Sequence, residues 1–178
     1  LLGVVLARAV VGAIPLLLAG STTSSSSILL EAHYTVTWSA AIQGIAEAAR
    51  QGPGVINLSF GGEDPDPLLE DAVMFAYRSG SLVVAAAGNE GMEGSPKGYP
   101  AAYPHVLTVG ASTEAGRVAT FSTVASTVDL VAPGVHIPVA EPLAMDASGY
   151  VQAPGTSFSS PLVAGAAAWV WTERPSLD

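Results

Sequence analysis

The alternation of apolar and polar positions divides the chain into three stretches. Residues 1–18 are almost continuously apolar. They read as a buried helix over 1–9 and a buried strand over 13–18. A membrane span is disfavoured because Arg8 would lie near the bilayer centre, Pro15 would break the helix, and no basic segment precedes the run. Residues 21–27 are a Ser/Thr tract and read as a loop. Over 39–50, Ala41, Ile42, Ile45, Ala46 and Ala49 recur at helical spacing, and Gln51-Gly52-Pro53-Gly54 ends that helix. Residues 55–60 form a short apolar run, as expected of a buried strand. Next comes a helix with strong terminal signals: Asp66 to cap it, Pro67 in the first position and Gly80 to close it. Its apolar face is Leu68, Leu69, Ala72, Val73 and Ala76. Residues 82–87 and 106–110 are further buried strands, and the crossovers are long enough for parallel pairing.

The pattern changes after residue 110, where short strands alternate with turns over 127–131, 135–139 and 149–152. Residues 161–171 are apolar on every side and rich in Ala and Gly. Such a helix is expected to be buried in the middle of a domain, with its small residues allowing close approach.

Composition adds exclusions more than assignments. At 178 residues the chain can form one domain with a core. Its 15 acidic and 6 basic residues argue against a nucleic-acid partner, which needs clustered Lys and Arg. The absence of cysteine removes disulfides and thiolate metal sites. The apolar start at Leu1 points to a piece of a longer protein.

Three segments carry candidate chemistry. In Gly155-Thr156-Ser157-Phe158-Ser159-Ser160-Pro161 a serine stands at a helix N-terminus, where free N–H groups and the helix dipole favour a developing oxyanion. The plainer reading is that Thr156 or Ser157 caps the helix. In Ala85-Ala86-Ala87-Gly88-Asn89-Glu90-Gly91 an asparagine follows a parallel strand, at the end of the sheet where ligands bind. The plainer reading of Asn89 is an ordinary turn residue, since Asn tolerates left-handed conformations. In Val55-Ile56-Asn57-Leu58-Ser59-Phe60-Gly61-Gly62 a strand runs into a glycine pair that lets a bound backbone come close.

In this order and spacing the three segments closely resemble the subtilisin-like serine proteases. The likeness continues through Tyr99-Pro100-Ala101-Ala102-Tyr103-Pro104, Val106-Leu107-Thr108-Val109-Gly110-Ala111, Thr120-Phe121-Ser122, Val128-Asp129-Leu130-Val131-Ala132-Pro133-Gly134 and Leu162-Val163-Ala164-Gly165. It implies a three-layer α/β/α fold around a mainly parallel sheet, truncated at the N-terminal side, with residues 1–178 forming a partial peptidase domain. It also implies that Ser157 is the nucleophile of a serine endopeptidase and that Asn89 donates to the oxyanion together with the N–H of Ser157. Ser59, Phe60 and Gly61 would bind an extended peptide substrate. With Ala86, Ala87 and Gly88 they would wall the pocket for the side chain before the scissile bond. Those walls carry no charge and suggest an apolar preference. The resemblance further implies a secreted protein. Family members often bind calcium, but no ligand set is placed in this sequence.

Two members of the catalytic triad are missing. Ser–His–Asp chemistry needs an imidazole base and a carboxylate to orient it. The family's Asp-Thr-Gly and His-Gly-Thr segments do not occur here, and the family order places both upstream of Leu1. His33, His105 and His136 match neither motif, so this chain alone is expected to be inactive. Two alternatives remain: a peptide-binding pseudoprotease, and a sedolisin-like acid peptidase. A sedolisin would carry Asp at the oxyanion position, and Asn89 disfavours it.

Overall fold

A computed structural model describes residues 38–143, 145 and 147–176. The expectations for residues 1–9, 13–18 and 21–27, and for His33, fall outside that range. Helix α1 (Trp38–Arg50) leads into strand β1 (Val55–Leu58), helix α2 (Pro67–Arg78) and strand β2 (Leu82–Ala86). The capping signals hold: Asp66 Oδ1 accepts from the N–H groups of Leu68 (2.8 Å) and Leu69 (3.1 Å), and Pro67 opens the helix. A single-turn 3₁₀ helix (Gly91–Glu93) precedes β3 (Val106–Ser112). Then come β4 (Leu130–Pro133), the hairpin strands β5 (Ile137–Ala140) and β6 (Tyr150–Ala153), and helix α3 (Thr156–Glu173).

Strands β1 to β4 form a parallel sheet in chain order, with Val55 opposite Leu82, Val83 opposite Val106 and Val109 opposite Leu130. Successive strand residues face opposite sides, and each side has its own core. Ile56, Leu58, Val83, Ala85 and Val106 pack against α1 and α2. Val55, Val84, Val109 and Ala132 pack against Ala164 and Ala168 of α3. A helix layer on each face gives the expected three-layer α/β/α arrangement. Full burial of Val84 and Val109 is worth about 1.5–3 kcal/mol each before entropy is counted.

Three expectations need correction. Helix α3 begins at Thr156, five residues earlier than the apolar run, so Pro161 lies inside it. Nor is it buried on every side: Leu162 (49%), Trp169 (72%) and Val170 (52%) are exposed. The sheet side of the helix is the face of Ala164 and Ala168, with Val163, Ala167 and Trp171 packed partly against the same core, which leaves the opposite face uncovered. Strand β1 also stops at Leu58 instead of residue 60, because Ser59 and Phe60 leave the sheet for the site.

Candidate active site

The C-terminal ends of β1 and β2 and the N-terminus of α3 meet around a cavity of about 440 Å³. Phe60, Gly61, Ala86, Ala87, Gly88, Asn89 and Ser157 line it. The resemblance implies one site for these residues, and the structure brings them together from segments far apart in the chain. Ser59, the remaining one, does not line the cavity; its hydroxyl is directed to α3 instead.

Neither Thr156 nor Ser157 caps α3 with its side chain, and the N-cap position belongs to Gly155. The cap comes from outside the helix. Asn89 Oδ1 accepts the Thr156 N–H at 2.9 Å and the Thr156 hydroxyl at 3.0 Å. Thr156 Oγ1 in turn accepts the N–H of Gly88 at 3.3 Å. A backbone N–H can only donate, so these bonds fix the amide with its oxygen on Thr156 and its NH₂ group turned away. No protein acceptor takes that NH₂ group among the described residues. The plain turn role for Asn89 therefore does not account for its geometry, and its φ is not left-handed. Gly88 does sit in that region (φ +107°), and a Cβ there would run into the Glu90 carboxylate.

The Ser157 N–H lies in the first turn of α3, where backbone donors have no helical acceptor. Ser157 itself is half-buried. A free backbone N–H, a free side-chain NH₂ and the positive end of an 18-residue helix thus border the same cavity. Such an arrangement stabilises negative charge on a bound carbonyl oxygen.

The far wall was not foreseen. Gly62 and Tyr99 exchange both backbone hydrogen bonds (3.0 and 2.8 Å), which closes the end of the cavity. Glu63, Glu90 and Lys97 also line it. The walls named from the sequence, Phe60, Gly61 and residues 86–88, carry no charge, whereas the wider cavity that they border is also lined by these three charged side chains. The Glu90 carboxylate is held by the Thr123 hydroxyl at 3.3 Å. Gly61 is the sequence signal for this wall, since a Cβ there would lie 3.1 Å from the Tyr99 carbonyl oxygen.

The two described histidines do not reach the site. His105 is stacked on Tyr77, ring centroids 3.8 Å apart, at the end of α2. His136 is exposed beside β5. Neither lines the cavity. Among the described residues, no group of three or more His, Asp or Glu side chains converges to hold a metal ion.

The family model described as "Subtilase family" matches residues 26–178. The chain belongs to that family. Subtilisin DY of Bacillus licheniformis is 43% identical over 144 residues, covering 80% of this chain and 51% of the relative. Thermitase of Thermoactinomyces vulgaris is 42% identical over 131 residues, covering 74% and 45%. Among solved structures, Sphericase superposes with a TM-score of 0.70 at 30% identity, covering 81% of this chain and 52% of that one. The chain thus spans about half the length of these three relatives. The truncated subtilisin-like fold agrees with the parallel sheet and its two helix layers.

Proposed function

We propose that this chain supplies the nucleophile, oxyanion site and substrate pocket of a serine endopeptidase, and that residues 1–178 are one part of its peptidase domain. In this reading Ser157 Oγ attacks the scissile carbonyl and forms an acyl-enzyme, which water then hydrolyses. The carbonyl oxygen gains charge as the tetrahedral intermediate forms. It is stabilised there by the Ser157 N–H and Asn89 Nδ2, whose orientations are set before substrate arrives. An extended peptide runs along residues 59–61 and places one side chain between that wall and residues 86–88. The observation that supports this most directly is the anchoring of Asn89 Oδ1 on Thr156, which frees the amide donor beside Ser157.

The proton on Ser157 needs a base, and an unassisted hydroxyl is a weak nucleophile. His105 and His136 lie away from the cavity. These 178 residues alone are therefore expected not to turn over peptides, the His and Asp being supplied by another part of the protein. Family resemblance supports an extracellular location. No helix among the described residues is long and apolar enough to cross a membrane.

The test uses the longest natural chain that contains this sequence. A fluorophosphonate should label it, and peptide mapping by mass spectrometry should place the label on Ser157. Ser157→Ala should abolish both labelling and peptide hydrolysis. Hydrolysis that survives Ser157→Ala would overturn the assignment. An unlabelled protein that still binds peptides would be a pseudoprotease.

A further inference from the structure

Pro161 creates a deficit at the residue that matters most. In a helix the carbonyl of residue i is bonded by the N–H of residue i+4. For Ser157 that residue is Pro161, which lies inside α3 and has no N–H. The carbonyl of the proposed nucleophile is thus deprived of its helical donor.

Ser59 fills the gap from another element. Its hydroxyl donates to the Ser157 carbonyl oxygen at 2.9 Å, across 98 residues of sequence. Residues 55, 57 and 59 share the α3 side by strand periodicity, so the end of β1 delivers Ser59 to the first turn of α3. The remaining contacts fix the direction of that hydrogen. Asn57 Nδ2 donates to Ser59 Oγ at 2.9 Å, which occupies one lone pair. Ser160 Oγ lies 3.1 Å from Ser59 Oγ. A hydroxyl has one hydrogen and two lone pairs. With its hydrogen on Ser157, Ser59 must accept from Ser160. Every valence of the Ser59 hydroxyl is therefore used, and Asn57 and Ser160, both buried, hold it in place.

We propose that Ser59 is a positioning residue for Ser157, standing in for the N–H that Pro161 lacks and so fixing the peptide plane that carries the nucleophile. The same bond joins the wall beginning at Phe60 to the helix that presents Ser157. The pocket and the attacking atom are thereby held in one register. The proposal rests on the reading of Ser157 as nucleophile.

The experiment measures fluorophosphonate labelling of Ser157 and peptide kinetics in the longest natural chain. Misplacing a reacting group by a fraction of an ångström slows attack more than it weakens binding. Ser59→Ala is expected to lower the labelling rate and kcat about tenfold, with KM changed less than about twofold. Pro161→Ala restores an N–H that can bond the Ser157 carbonyl. In that background Ser59→Ala should cost less than about threefold, and the double variant should fold because its helix bond is made within α3. This second comparison decides the matter even if Ser59→Ala alone fails to fold. A label on Ser157 at the parent rate in Ser59→Ala would overturn the positioning role and leave the nucleophile standing. An undiminished tenfold loss in the Pro161→Ala background would also overturn it, because Ser59 would then act through something other than that carbonyl. A label elsewhere would instead overturn the nucleophile assignment.

Discussion

Asn89 Oδ1 holds both the backbone N–H (2.9 Å) and the hydroxyl (3.0 Å) of Thr156, so one side chain caps α3 and keeps its amide hydrogens for a ligand. The two ends of that side chain can be separated by substitution. Asn89→Asp keeps an acceptor for Thr156 but removes the donor and adds negative charge where the oxyanion would form. The protein should fold, and kcat should fall at least as far as in Asn89→Ala. Asn89→Ala should lower kcat about 10²–10³-fold with KM little changed, a size established for such a donor in a subtilisin and carried over through the family. It should also lower the thermal midpoint, because a helix cap is lost, typically about 1 kcal/mol. Kinetics and melting curves on both variants check this. An active Asn89→Asp enzyme would remove the oxyanion role.

Gly134 packs where a side chain does not fit. A Cβ there would press on Ser159 Oγ and the Ala111 methyl, with the Gly155 carbonyl oxygen 3.1 Å away. The Gly134 carbonyl also accepts the Gly155 N–H at 2.8 Å, at the start of α3. Gly134→Ala is expected to destabilise by about 1–3 kcal/mol and to slow labelling of Ser157, since α3 must shift. An unchanged urea midpoint would contradict the packing argument.

Tyr103 links stability to alkaline pH. Its hydroxyl accepts the Asp66 N–H (2.7 Å) and donates to the Asp66 carbonyl (2.8 Å). Burial is the main cause that raises its pKa above the ordinary value of 10.0, ahead of the Asp66 backbone bond, which lowers it. A raised folded pKa means that the unfolded chain releases this proton first. The contribution is therefore complete below about pH 10 and is lost as pH rises through the folded value. Tyr103→Phe should flatten that alkaline loss while costing about 1–3 kcal/mol at neutral pH, because Asp66 loses its partner. Urea titrations from pH 8 upward on both proteins would show it. Parallel curves would exclude Tyr103 as the source.

Exposed apolar groups on α3 should govern the behaviour of the isolated 178-residue chain. Leu162, Trp169 and Val170 are at least half open to solvent or nearly so, and contiguous apolar surface promotes association. The chain is expected to self-associate, and Trp169→Gln should lessen this without lowering the thermal midpoint. Sedimentation at several concentrations would test it; identical distributions for both proteins would count against the idea.

The strand and helix signals that depend on local chemistry were readable in the sequence. Asp66, Pro67 and Gly80 act locally, and the α2 boundaries followed from them. The start of α3 did not, because Pro161 reads as a first-turn residue unless a distant hydroxyl is known to satisfy the carbonyl it strands. Ser157 and Asn89 are candidates that the family resemblance of their segments offers, but the Thr156 contact that orients Asn89 spans 67 residues and leaves no periodic trace. The charged part of the cavity was missed for the same reason: Glu63 and Lys97 flank the Gly62–Tyr99 bridge, and Glu90 is held by Thr123 from a distant loop. The bulky face of α3 looked like core because hydropathy records which residues avoid water and not which neighbours are there to cover them.

The bond between Ser59 and Ser157 also bears on when the site can exist. During synthesis the chain emerges from its N-terminal end, so the strand end and the asparagine loop are exposed well before α3 has been made. Until Thr156 and Ser157 arrive, Asn89 has no anchor and Ser59 no carbonyl to hold. The proposed nucleophile therefore cannot stand beside its proposed oxyanion donors until Thr156 and Ser157 have been translated.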